Sequence, residues 1–248
     1  MNERLQIQGY SHYAVSAENY DKSLEFYGKY LALPELCHLD YLDSGKRMLT
    51  CFKLNDSQVI EVFDRRNIQS PVRALHQLAF NVNNAFAWWD WFQSRGIAVP
   101  SEVHRGQMKN FGFIIEDADQ NCLEFVQLTP ESLLMKSRDI LNEGPLSSAE
   151  LIGVCLPRAW DPQGQRDFYR DILLLAREAN GLAVGALHSI ALQAPHQDKC
   201  RVVFSVKDLQ KAQRNLSGSG HWPEEHSVYG MSIVLNDPDG LELQFVKA

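Results

Sequence analysis

From Ile7 to Val15 polar and apolar residues alternate as on a half-buried strand, and from Glu18 to Leu31 the apolar positions Leu24, Phe26, Tyr27, Tyr30 and Leu31 fall at helical spacing. The chain therefore opens as β then α. Two short strand-like runs follow, Arg47–Lys53 and Gln58–Phe63, parted by the turn-forming Asn55-Asp56-Ser57. A second cycle starts at Ala74 with the run from His76 to Val82. It continues through an aromatic-rich helix at Ala85–Ser94 and closes with strands near Phe111–Glu116 and Cys122–Leu128. Between Thr129 and Ser148 the order breaks, where a helix-like stretch, Glu131–Leu141, meets a Gly144-Pro145 stop. Beyond it the same order returns, with strands at Leu151–Leu156, Ala186–Gln193 and Cys200–Val206, helices at Gln165–Leu175 and Leu209–Leu216, and further strands at the C-terminus.

The repetition extends to residues. Phe26-Tyr27-x-x-x-Leu31-x-Leu33 recurs as Phe168-Tyr169-x-x-x-Leu173-x-Leu175, and Asp117-Ala-Asp119 before Cys-Leu-Glu124-Phe recurs as Asp237-Pro-Asp239 before Leu-Glu-Leu-Gln244-Phe. Each pair of aspartates is expected to shape a tight turn by accepting from nearby backbone N–H groups, not to bind metal. The expected fold class is α+β, built of tandem βαβββ units, two per domain: residues 1–128, a helical linker at 129–148, and residues 149–248.

Composition narrows the function. At 248 residues with 45% apolar content the chain can bury two small cores, and a net charge of −7 lacks the basic footprint that phosphate neutralisation needs. A small-molecule substrate is expected, with no nucleic-acid partner. No apolar run approaches the ~18–20 residues of a membrane span, and the start MNERLQIQG lacks a secretory apolar stretch, so no membrane association and a cytoplasmic location are expected. The five cysteines, Cys37, Cys51, Cys122, Cys155 and Cys200, are odd in number and scattered through apolar runs, which reads as reduced, packed thiols.

Four titratable residues stand inside otherwise apolar strand runs: His12, Glu61, His76 and Glu124. Any one of them reads as readily as a hydrogen-bonded core residue. Together, two buried carboxylates and two imidazoles point to a shared cation, because an unpaired buried carboxylate costs several kcal/mol. Imidazole with carboxylate suits one divalent ion among Zn, Ni, Co, Fe and Mn. The spacings 12 to 61 and 76 to 124 differ by one residue, as if each unit offered a His on its first strand and a Glu on its last.

The order His12, Asp21-Lys-Ser-Leu-Glu-Phe26-Tyr27, Glu61, His76, and Asp117-x-Asp119 leading into Glu124 resembles the vicinal oxygen chelate superfamily of glyoxalase I, bleomycin resistance proteins and extradiol ring-cleaving dioxygenases. Its His/Glu/His/Glu pattern is most similar to glyoxalase I. The resemblance implies paired units forming cupped mixed sheets around a divalent metal held by His12, Glu61, His76 and Glu124. It further implies that Glu61 and Glu124 are the catalytic groups, a ligand carboxylate doubling as the base that moves a proton beside a chelated carbonyl. The expected activity is a lyase or isomerase of the glyoxalase type. Two alternatives stand beside it: extradiol ring cleavage, whose family carries a His/His/Glu set in its second domain, and a drug-binding module using Trp88, Trp89 and Trp91. Glyoxalases that use glutathione carry an arginine where this chain has Ser16. His104, Arg105 and Lys109 read as an anion site or a solvated loop.

In the second half the same four positions fall on Gly153 or Val154, Ala191, Cys200 and Gln244, which is no metal set, so that half reads as a structural duplicate, a lid or an interface. His188, His196, His221 and His226 stay unassigned, with residues 221–226 read as a polar loop. Pairing of two chains as a homodimer is left open.

Overall fold

The computed structural model describes residues 5–68, 75–156, 162–175, 177–178, 181–184, 188–192, 200–218, 226–229 and 232–248. The first half supplies β1 (Ile7–Ala17), β2 (Glu35–Asp40), β3 (Arg47–Lys53), β4 (Val59–Asp64), β5 (Leu75–Val82), β6 (His104–Arg105), β7 (Phe111–Glu116) and β8 (Cys122–Gln127), in the sheet order β2-β3-β4-β1-β5-β8-β7-β6. The second half supplies β9 (Glu150–Leu156), β10 (Arg177–Glu178), β11 (Gly181–Val184), β12 (His188–Leu192), β13 (Arg201–Val206), β14 (His226–Tyr229), β15 (Ser232–Asn236) and β16 (Glu242–Lys247), ordered β10-β11-β12-β9-β13-β16-β15-β14. Helices α1 (Tyr20–Leu24), α2 (Ala85–Ser94), α4 (Pro162–Asp167) and α5 (Leu209–Gly218) each follow the first strand of a unit, and α3 (Leu133–Lys136) falls between β8 and β9 in the chain. The four units are βαβββ, and each sheet mixes parallel pairs such as β1–β4 with antiparallel ones such as β1–β5. No helix among the described residues is long and apolar enough to cross a membrane.

The repeat seen in residues is also a repeat of backbone. After Asn19 caps α1 on the N–H of Lys22, the helix widens into a π-turn over Glu25–Tyr30, with Leu31 N–H on Phe26 O and Leu33 N–H on Tyr27 O. The other half copies this over Phe168–Ile172, where Leu173 and Leu175 donate to Phe168 and Tyr169. Ala32 (φ 51) and Leu174 (φ 58) take the left-handed conformation that ends each copy.

The two acidic turns behave as expected and do more. Asp117 Oδ1 accepts from the N–H groups of Asp119 and Asn121, and Asp237 Oδ1 from those of Asp239 and Leu241. The remaining oxygens cross over: Tyr27 donates its hydroxyl to Asp237 Oδ2 at 2.8 Å, and Tyr169 donates to Asp117 Oδ2 at 2.8 Å. Each half's aromatic helix is thus fastened to the other half's turn. Gln58 adds a bridge, donating to Tyr10 O and Leu151 O while accepting from Leu151 N–H. One continuous apolar core, running from Tyr13 through Phe80 and Phe125 to Phe204 and Phe245, lies between the sheets.

The expected helix at Glu131–Leu141 is only the single turn of α3. Ser132 caps it, and the ammonium of Lys53, 2% exposed, takes the carbonyls of Ser137 (2.8 Å) and Ile140 (2.9 Å) together with Asp56. Those carbonyls bend toward a fixed cation instead of continuing a helix. Lys53→Met should therefore cost about 3 kcal/mol, the order expected for two buried acceptors left unpaired. Urea unfolding measures this, and a loss under about 1 kcal/mol would mean that water replaces the ammonium.

Candidate active site

Strand register decides which side chains meet. Ala14 on β1 pairs with Glu61 on β4 and with Gln77 on β5, His12 pairs with Ala79, and Ala79 pairs with Glu124 on β8. Directly paired residues share a face, and so do residues two apart on a strand. His12, Glu61, Gln77 and Glu124 therefore project together from the concave side. A local two-fold between β1 and β5 relates His12 to Gln77 and Glu61 to Glu124.

Three of the four residues singled out in the sequence are brought together: His12 Nε2 lies 3.1 Å from Glu124 Oε2 and 3.6 Å from Glu61 Oε2. His76 is not among them. A register shift puts Leu75 opposite Val15 and Gln77 opposite Ala14, so His76 is the extra residue of a bulge. Its ring packs on Phe63 at a centroid distance of 4.8 Å at the cavity edge, where burial lowers its pKa. Gln77 takes the central place, its amide hydrogen-bonded to Glu124 Oε2 and 3.3 Å from His12 Nε2. Gly112 makes room for Glu124: a Cβ there would come within 3.2 Å of its Oε1 and 3.0 Å of the Phe125 carbonyl.

The electrostatics follow from burial. Burial is the largest influence on His12 and pulls its pKa down, but Glu61 and Glu124 outweigh it and hold the imidazole at about 9. Burial raises the Glu61 carboxyl and the charge of Glu124 raises it further, against the opposing pull of His12. Among the described residues no group of three or more His, Cys, Asp or Glu is arranged as a finished metal site. The donor chemistry nonetheless fits a divalent ion: the buried carboxylate of Glu61 and the half-buried one of Glu124 share one imidazole, an excess of negative charge that such an ion would offset, and Gln77 offers a neutral amide oxygen.

These residues line a cavity of about 490 Å³. Its walls include Leu39, Met48, Phe63 and Val126, and its rim includes His104 and Arg105 on β6. Lys109 is exposed and outside the lining. Asn110, which the sequence reading passed over, lines the cavity and keeps its buried Oδ1 without a protein partner. The tryptophans of α2 are used elsewhere: Trp88 is buried against Phe92 and Phe125, Trp89 donates to Pro100 O, and Trp91 donates to Ile172 O.

Register also corrects the second half. Gly153 pairs with Val203, Cys155 with Arg201 and Ala191, and Val203 with Gln244. The equivalent positions are Gly153, Ala191, Arg201 and Gln244, so Arg201, not Cys200, stands where Gln77 does. Its guanidinium binds Glu242 and reaches Gln244 at 3.4 Å. His196 and residues 221–225 lie outside the described residues, while His188 and His226 begin β12 and β14.

A family model, the Glyoxalase/Bleomycin resistance protein/Dioxygenase superfamily, matches residues 9–125, the segment that carries this cavity. Solved structures extend the likeness in fold to both halves. The Mn(II)-bound glyoxalase from Novosphingobium aromaticivorans superposes with a TM-score of 0.70 at 13% identity, covering 98% of this chain and 83% of its own. Homoprotocatechuate 2,3-dioxygenase from Arthrobacter globiformis gives 0.68 at 13% identity (98% and 80%), and the 2,3-dioxygenase LapB from Pseudomonas sp. KL28 gives 0.66 at 13% (98% and 93%). Extradiol dioxygenases recur among these neighbours, so the likeness does not single out glyoxalase I as the sequence pattern did. No curated protein matches the chain.

Proposed function

We propose that this chain is a member of that superfamily and an enzyme that binds a small oxygenated substrate in the cavity above His12, Glu61, Gln77 and Glu124 and moves a proton within it. The observation that carries the reading is the placement of two carboxylates at two-fold-related positions on either side of His12. His12, Glu61, Glu124 and the amide oxygen of Gln77 would hold one divalent ion, of the Zn, Ni, Co, Fe or Mn class. When bound, such an ion polarises a substrate oxygen as a Lewis acid. The chain's own part is acid–base work. Glu61, its carboxyl pushed up by burial, is the stronger base for it, and Glu124 keeps His12 oriented. Phe63, Met48 and Val126 shield the proton from bulk water. Asn110 Oδ1 awaits a donor, which a substrate hydroxyl would supply.

A second reading, extradiol ring cleavage, is favoured by the recurrence of dioxygenases among the structural neighbours. Against it stands the donor set, since the two-His-one-carboxylate arrangement of non-haem iron oxygenases would need an imidazole at Gln77. The test is an assay of protein loaded separately with Ni, Zn, Mn or Fe(II). Incorporation of solvent deuterium into the product of an α-hydroxycarbonyl substrate supports proton transfer. Oxygen uptake with catechols and Fe(II) would transfer the case to ring cleavage, and metal uptake with neither activity would leave a binding module.

A further inference from the structure

One row of side chains runs across the concave face of the first sheet beyond the candidate active site. Ala14 pairs with Glu61, Glu61 with Cys51 on β3, and Cys51 with Cys37 on β2, so both thiols point to the same side as the carboxylate. The two thiols stand opposite each other on paired strands. A third sulfur reaches them from the loop that follows β6: Met108 Sδ lies 3.4 Å from Cys37 Sγ and 4.0 Å from Cys51 Sγ. Neither Cys37 nor Cys51 is in a disulfide.

We propose that Cys37, Cys51 and Met108 form a second, separate metal site, selective for a soft d10 ion of the Cu(I) class. Geometry carries the proposal. Three sulfurs in a plane, each ~2.3 Å from a shared ion, stand ~4 Å apart, and Met108 Sδ lies 3.4 Å and 4.0 Å from the two thiols of paired strands. Two thiolates and a thioether are the donor set that selects Cu(I) over the oxygen-seeking ions suited to the His12 site. The surroundings agree, because Leu36, Leu39, Leu49 and Phe63 close around the sulfurs in a small apolar cluster detached from the main core. A weakly hydrated ion gives up little there, and binding displaces the two thiol protons. Packing alone would be served by three apolar side chains. It gives no reason for three convergent sulfurs drawn from β2, β3 and a loop.

Glu61 lies between the two sites, with Oε2 facing His12 at 3.6 Å and Oε1 facing Cys51 at 3.9 Å. A soft ion on the sulfurs would therefore sit beside the candidate acid–base group. The proposal does not depend on what that group does.

The experiment is anaerobic titration of the full-length protein with Cu(I) against a competing Cu(I) chelator, with X-ray absorption at half an equivalent of copper. Three sulfur neighbours at ~2.3 Å are expected. Met108→Leu should weaken binding by at least about tenfold, since losing a ligand costs no less than losing one of its outer-shell partners. Cys37→Ser and Cys51→Ser should each abolish it, while Cys155→Ser and Cys200→Ser should leave it in place. Two sulfur neighbours, or a Met108→Leu protein that binds as tightly as the parent, would overturn the site. Because the absorption measurement uses unmodified protein, misfolding of a variant would not remove the test.

Discussion

Glu124→Gln should lower turnover about 10²–10⁴-fold, and Glu61→Gln should do the same, while both proteins remain folded. Glutamine preserves the shape of each side chain and its hydrogen bond to a neighbour, but it removes a charge and the ability to take up a proton. Glu124 is the nearest carboxylate to His12, at 3.1 Å, and it also accepts from Gln77, so its loss frees both partners at once. Metal content should fall with activity in Glu124→Gln, Gln77→Ala and His12→Ala. His76→Ala is the discriminating control. Its ring lies on Phe63 outside the cluster, so metal content should stay at the parental level, with at most a small change in substrate affinity. Elemental analysis of protein purified without chelator measures the first quantity, and steady-state rates measure the second. Loss of metal in His76→Ala but not in Gln77→Ala would place the site one residue earlier and sink the register argument.

That comparison also marks what the sequence could and could not disclose. The aromatic pair Phe26-Tyr27 and the turn Asp117-x-Asp119 were legible because each has a local cause, helical spacing in one and side-chain-to-backbone hydrogen bonds in the other. Both causes recur in the second half at Phe168-Tyr169 and Asp237-x-Asp239. What they bind was not legible, since the Tyr27–Asp237 and Tyr169–Asp117 contacts join residues far apart in the chain. Period-2 alternation shows that β5 has two faces, but not which face is concave once a bulge shifts the register at His76. An imidazole next to a glutamine draws the eye to the neighbour that the bulge turns away from His12. The one signal within reach was internal: Gln77-Leu-Ala79 copies His12-Tyr-Ala14, with alanine two residues on in both. The edge strand β2, half-exposed along its length, lacks the alternation that marks a buried strand, so the pairing of Cys37 with Cys51 stayed hidden with it. Site residues drawn from several strands are a matter of tertiary register, and composition carries little of it.

Asp237→Asn should make the protein more stable relative to the parent as pH rises, by about 3 kcal/mol between pH 4 and pH 7. Burial, the largest cause, lifts the Asp237 carboxyl to about 6, although the Tyr27 hydroxyl and the N–H groups of Leu241 and Asp239 oppose the shift. In the unfolded chain the same group titrates near ~3.9. The sign follows from proton counts: between these values the native state holds more protons than the unfolded one, so stability falls as pH rises through the window. A shift of about two units corresponds to about 3 kcal/mol, fully expressed above the folded value and absent below the unfolded one. Asparagine keeps an acceptor oxygen for the two backbone N–H groups and presents an amide to Tyr27, without a charge to bury. Urea unfolding of both proteins at pH 4, 5, 6 and 7 gives the difference directly, and other carboxylates cancel in it. A difference that stays flat with pH would mean that Asp237 is ionised in the native state at pH 4, with the crossed tyrosine contact compensating its burial in full. The crossed contact would then be a stronger clamp between the halves than its single hydrogen bond implies, and Tyr27→Phe, which deletes only that hydroxyl, would be expected to raise the pKa of Asp237 and restore the pH dependence.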